Sequence, residues 1–205
     1  MKELFSEKNF ARLSKEVHEL IDSQTWMQKY GYEWLIFFLR ILGFTIGFLI
    51  FSQKGIFYKI FGMLILSYFY YGITITGVHE SSHKSFVKSS KFNNFLGYVF
   101  SDFWGSQSSE WWYKRHIEVH HVYTNMPDKE QEATFYYSKI GRYAYFFLVP
   151  YLVVFWEIIF SVEFLKNKWK NLILYLSLMT LGWTLHIYLF SLILPIKLAF
   201  LSTFI

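Results

Sequence analysis

The 205-residue sequence has no cysteine, only three prolines and little charge. Asp, Glu, Lys and Arg make up 17% of it, against about 25% in a soluble domain. Without thiols there is no disulfide framework, no Cys-ligated zinc ribbon, no iron–sulfur cluster and no thiolate-bound haem. Any metal must be held by imidazole, carboxylate or backbone oxygen. With 54% hydrophobic and 23% aromatic residues, the composition also excludes disorder and collagen-like repeats. No internal repeat or low-complexity linker divides the chain, so residues 1–205 read as one domain. The net charge of +5 does not indicate nucleic acid, because the basic residues sit on particular loops and form no stripe interleaved with exposed aromatics.

Long apolar runs are abundant. A helix crosses hydrocarbon with about 20 mostly apolar residues, and four stretches approach this: 34–51, 60–78, 143–160 and 172–194. The expected fold is all-α, a polytopic membrane protein with four transmembrane helices and cytoplasmic interfacial helices. Arg40 and Glu157 fall inside these runs and are expected to snorkel to the interface. Residues 1–33 carry five Lys or Arg and residues 79–142 carry eight. The short connections hold Lys54 and Lys59, then Lys166, Lys168 and Lys170. By the positive-inside rule the N-terminus and the 79–142 segment are cytoplasmic and both short connections face outward, in a bacterial cytoplasmic membrane or the endoplasmic reticulum. The first 33 residues alternate charged with apolar positions, unlike a cleavable leader. Phe10, Leu13, Val17 and Leu20 share one helical face, which predicts a helix lying on the cytoplasmic leaflet.

Five of the seven histidines lie between positions 79 and 121. His79 and His83 end the second apolar run in an i, i+4 pair, which places both on one face of a helix. His116 and His120 repeat that spacing, and His121 is expected to project about 100° away, toward a second metal position. Five neutral imidazoles without thiolate suit iron, copper, nickel or zinc better than magnesium or calcium. His18, on the polar face of the first helix, reads as a solvated side chain. If the fourth run starts on the outer side, His186 lies about 21 Å further in, near the depth of the other five. It is therefore a sixth candidate ligand.

Two metal chemistries compete. His79-Glu80-Ser81-Ser82-His83 is literally HExxH, the zinc-protease pattern in which Glu is the general base. That reading leaves His116, His120 and His121 idle. A dinuclear iron site uses them all and has open positions for dioxygen.

The same residues carry a resemblance. HxxxH at His79 and His83, the run Trp112-x-x-x-His116-x-x-x-His120-His121-x-x-Thr124-Asn125, the separation of 33 positions from His83 to His116 and the flanking hydropathy are similar to the integral-membrane fatty acid desaturases, most closely their acyl-lipid and front-end branches. The resemblance covers residues 34–200. It implies a mushroom-like fold of four spans, with two irons held in a cytoplasmic cap above a narrow acyl-chain tunnel. His79, His83, His116, His120 and His121 match ligand positions, and an intramembrane His on the last span, here His186, is a ligand in some members. Dioxygen would be the co-substrate, a lipid acyl chain the substrate, and a separate b-type cytochrome or ferredoxin the electron donor, since the chain has no haem-domain motif or GxGxxG. Glu80 stands where the family usually has Asp. Glu80, Glu110, Glu118 and Asp128 are candidates to orient the imidazoles, and Trp104, Trp111 and Trp112 to line the substrate entry. The family's third box, H/QxxHH, is missing: no His follows His186. The apolar stretch 195–205 is too short to span, and the expectation is a chain truncated at its C-terminus and inactive alone. Alternatives are a lipid hydroxylase of the same di-iron class, the zinc intramembrane protease and a non-catalytic membrane fragment.

Overall fold

The computed structural model describes residues 7–124, 126, 129 and 142–202, and every regular element among them is helical. Helix α1 (Glu7–Ser23) exposes Phe10, Leu13, Val17 and Leu20. Arg12 and Lys15 pair with Glu16 and Glu19 at i, i+4. A π-helical turn, Met27–Gly31, leads into α2 (Tyr32–Ser52). The chain reverses at Gly55, whose φ of +111° favours glycine, into α3 (Ile56–Ser82).

Helices α2 and α3 form an antiparallel hairpin whose backbones approach at glycines. A Cβ on Gly62 would lie 2.5 Å from the Phe51 nitrogen, and one on Gly43 would lie 2.4 Å from the Phe69 ring. Away from that seam Leu35, Leu39, Leu42, Leu49, Leu64 and Tyr68 are exposed, as suits helices whose solvent is lipid. By length and composition, three segments among the described residues can cross a membrane: Met27–Ser52, Ile56–Ser82 and Trp169–Ser191.

Beyond α3 come α4 (Ser90–Gly97), a π-helical segment (Tyr98–Trp104), α5 (Ser109–Tyr113), a second π-helical segment (Lys114–His120) and the short α6 (His121–Tyr123). Ser89 and Ser108 cap α4 and α5 by accepting from Phe92 N and Trp111 N. Phe86 and Phe100 pack with Phe37, Ile73 and Val78 in one core. Phe100 reaches α3 because Gly77 has no side chain there; a Cβ would stand 2.4 Å from its ring. Trp34 Nε1 donates to Phe86 O at 2.9 Å, tying α2 to the same core.

The later helices are α7 (Arg142–Leu165), α8 (Trp169–Ser191) and α9 (Ile196–Ser202). Helix α8 has a direction the charge count did not anticipate. Its start is held at Glu110, which accepts from Lys168 Nζ at 3.0 Å and from Asn171 Nδ2. Further along, the Tyr175 hydroxyl donates to Ser106 O at 2.9 Å, and Phe190 packs on Phe48 and Phe51 near the Gly55 turn. The connection carrying Lys166, Lys168 and Lys170 therefore lies at the histidine end of the hairpin and not opposite it. Lysine counting treats each loop alone and cannot register that Glu110 pairs with Lys168.

Candidate metal centre

The last turn of α3 presents His79 and His83 on one face, with ring centroids 4.4 Å apart. The helix closes immediately afterwards: Lys84 N bonds to Ser81 O and Ser85 N to Glu80 O, with Lys84 in the left-handed region at φ 59°. His83 is thus fixed at the helix end, where its imidazole can meet another element.

That element is the second π-helical segment. Its wider turn bonds His121 N to His116 O, five residues back, so His121 is carried round to the side of His116. In place of the expected projection 100° away, His121 Nε2 lies 3.1 Å from His83 Nε2 and 3.3 Å from His116 Nε2. His116 is buried, with its ring stacked between Trp112 (4.7 Å, 12°) and His120 (5.3 Å, 15°). One ligand atom from each of His79, His83 and His116 lies within 4.8 Å of the others. Five of the six histidines proposed as ligands are therefore together.

The donor geometry fits a metal. With metal–nitrogen bonds of about 2.1 Å, neighbouring ligand nitrogens are separated by about 3.0–3.4 Å, the spacing that joins His121 to His83 and His116. Glu80 lies beside the group: Oε1 is 2.9 Å from His79 Nδ1, while Oε2 accepts from the Ser85 hydroxyl. That contact leaves His79 Nε2 for a metal and fixes the ring. Burial, reinforced by His79, His121 and His116, holds the His83 pKa below its ordinary value, favouring the neutral imidazole that a metal requires.

The other candidates fall elsewhere. Glu118 pairs with Lys114 and Glu110 with Lys168 and Asn171, so neither carboxylate is placed on an imidazole. Asp128 lies outside the described residues. His18 stays exposed, its Nδ1 2.7 Å from Ser14 O. His186 is not brought to the other five. Its neighbours are Tyr70, Trp104 and Phe190, because α8 runs away from the histidine end. Its Nε2 is buried without a hydrogen-bond partner among the described residues, as is Trp104 Nε1.

Trp112 covers His116, whereas Trp111 donates from Nε1 to Glu157 at 3.2 Å. Trp104 stacks on Tyr70 deeper along the hairpin. A cavity of about 650 Å³ beside the site is lined by Trp112 but by neither other tryptophan. Its walls mix hydrogen-bonding residues such as Ser81, Asn93 and Ser109 with apolar ones such as Val78 and Phe164.

The residues inside the apolar runs do not snorkel. Arg40 donates to Gly72 O at 2.7 Å across the hairpin. Glu157 is 9% exposed and takes Arg115 at 2.5 Å. Sequence reading missed this Arg115–Glu157 pair and the buried Asp102, which accepts from Ser109 N at 2.9 Å. The one available signal was a carboxylate inside an apolar run.

Burial raises the Asp102 pKa from 3.8 to about 7, against the bond from Ser109. Because the folded chain holds this proton more tightly than the unfolded chain, the stability it contributes is present below about pH 4. It is lost as the pH rises to about 7. Asp102→Asn keeps an acceptor for Ser109 and is neutral throughout. The difference in thermal midpoint between parent and variant, measured from pH 4 to 8, is expected to shift in the variant's favour as pH rises and to level off above about 7.

A family model described as fatty acid desaturase matches residues 54–205. The chain belongs to the fatty acid desaturase family. It is 27% identical over 156 residues to fatty acid desaturase 6 of Mus musculus, covering 76% of this chain and 46% of that one. The Bos taurus protein of the same name is 26% identical over 171 residues (83% and 50%), and that of Homo sapiens 24% over 174 (84% and 49%). The chain thus spans about half the length of the curated relatives it matches. No solved structure gives a significant match.

Proposed function

We propose that this chain provides the spans and the first two histidine boxes of an oxygen-dependent desaturase acting on a lipid acyl chain. The observation that carries the reading is the meeting of His79 and His83 at the end of α3 with His116, His120 and His121 of the second box, at one end of an apolar hairpin. These side chains would hold two irons, which when bound supply the activation of dioxygen needed to remove hydrogen from an unactivated chain. Glu80 fixes the His79 ring, and Trp112 keeps water from one face of His116. Electrons come from a separate b-type cytochrome or ferredoxin. His186 is retained as a further ligand candidate only if α8 is repositioned in the complete enzyme.

In this proposal α1 lies on the cytoplasmic leaflet and the chain is a single domain with its histidines cytoplasmic, and α7, whose end lies with the histidine segment, completes a set of four spans only if it is repositioned together with α8 in the complete enzyme. The HExxH protease reading is disfavoured by Glu80, whose carboxylate is engaged by His79 and Ser85 and so is not free to activate water.

The test compares residues 1–205 with a longer form that supplies an H/QxxHH box, both expressed in cells whose fatty acids are profiled. The longer form is expected to contain about two irons and to yield a new unsaturated product, and the shorter to insert in membranes without activity. Hydroxylated product would indicate the lipid hydroxylase. One zinc, retained after His120→Ala and lost after His83→Ala, would indicate the protease.

A further inference from the structure

The histidine group is tied to α7 through a chain of contacts that no ligand role requires. Glu157 sits in the apolar run of α7 yet is nearly buried, and its two carboxylate oxygens are divided between Arg115 Nη1 at 2.5 Å and Trp111 Nε1 at 3.2 Å. Arg115 precedes His116 in the chain. Its guanidinium lies over both indoles of the preceding turn, 5.1 Å from the Trp112 ring and 5.9 Å from that of Trp111. Trp112 lies nearly parallel to His116, at 4.7 Å and 12°. A carboxylate placed among apolar residues is costly unless it is paired, so the pair holds the box to α7 or leaves two uncompensated charges.

We propose that Arg115 is a positioning residue for the histidine group. Anchored by Glu157, its planar cation fixes Trp112, and Trp112 sets the plane in which His116 meets His79, His83 and His121. Lysine would keep the charge opposite Glu157 but lose the flat guanidinium that stacks on an indole. The orienting function is therefore separable from the ion pair.

The absence of cysteine makes a direct test possible. Lys88→Cys and Val122→Cys, both at exposed positions, carry spin labels that report the separation of the two boxes in lipid nanodiscs. Arg115→Lys is expected to keep the thermal midpoint near that of the parent, broaden the interlabel distance distribution, and weaken Co²⁺ binding at least about tenfold, the range found when a ligand loses its support. Glu157→Gln, which leaves Trp111 an acceptor, is expected to broaden the distribution as well and to lower the midpoint. Unchanged distances and affinity in Arg115→Lys would overturn the proposal, and so would changes that merely follow the midpoint. The affinity measurement rests on the metal reading and the distances do not. A parent chain that takes up no Co²⁺ but shows Arg115-dependent distances would refute the metal reading and leave the positioning role standing.

Discussion

Replacing His116 with alanine is expected to abolish metal uptake and any product formed by the longer chain, the largest loss from a single histidine. His116 is the most enclosed of the five, contacts His79, His83 and His121, and is clamped between Trp112 and His120. Loss of a supporting contact alone costs about 10–100-fold in metal affinity, so removal of the ligand should exceed 100-fold. His18→Ala, by contrast, removes an exposed ring from α1 and should change nothing measurable. Competition against a chromophoric chelator, with iron analysis of the purified protein, checks both. Parent-like affinity in His116→Ala would mean that the metal is held elsewhere.

The second large effect is expected at Gly182. A Cβ built there would stand 1.8 Å from the backbone oxygen of Phe103, so no side chain can turn aside and α8 itself must withdraw from the 98–104 segment. That withdrawal also breaks the bonds to Ser106 from Tyr175 (2.9 Å) and Trp183 Nε1 (2.7 Å). Overpacking commonly costs about 1–3 kcal/mol, and Gly182→Ala should lie at or above the top of that range. A drop in thermal midpoint with increased proteolysis near residues 104–108 is the expected result. Gly55→Ala should be milder: its Cβ would meet only Tyr58 at 3.7 Å, leaving the strained φ as the main cost.

Much of this arrangement was legible in the residues. The apolar runs predicted α2, α3 and α8 to within a few residues, because long unbroken hydrophobic segments leave the backbone no alternative to internal hydrogen bonding. The HxxxH pair placed His79 and His83 correctly, since i, i+4 spacing is a property of the helix itself. What stayed hidden depends on partners distant in sequence. The place of His121 follows from a π-helical turn that no spacing rule announces. The direction of α8 follows from Lys168 and Asn171 reaching Glu110, about 60 residues earlier. Glu157 resembled a snorkelling carboxylate until Arg115, 42 residues away, was seen beside it.

The π-helical segment Lys114–His120 also gives the second box a fixed phase. Its wide turn accommodates one more residue than an α-helical turn, so the doubled histidine works as a register mark as well as a pair of donors. If the same residues relaxed to α geometry with none removed, everything beyond the turn would rotate by about 100°. Every side chain of the box could then survive while the meeting of His121 with His83 did not. For this box, the width of the turn is as strict a requirement as the identity of the residues.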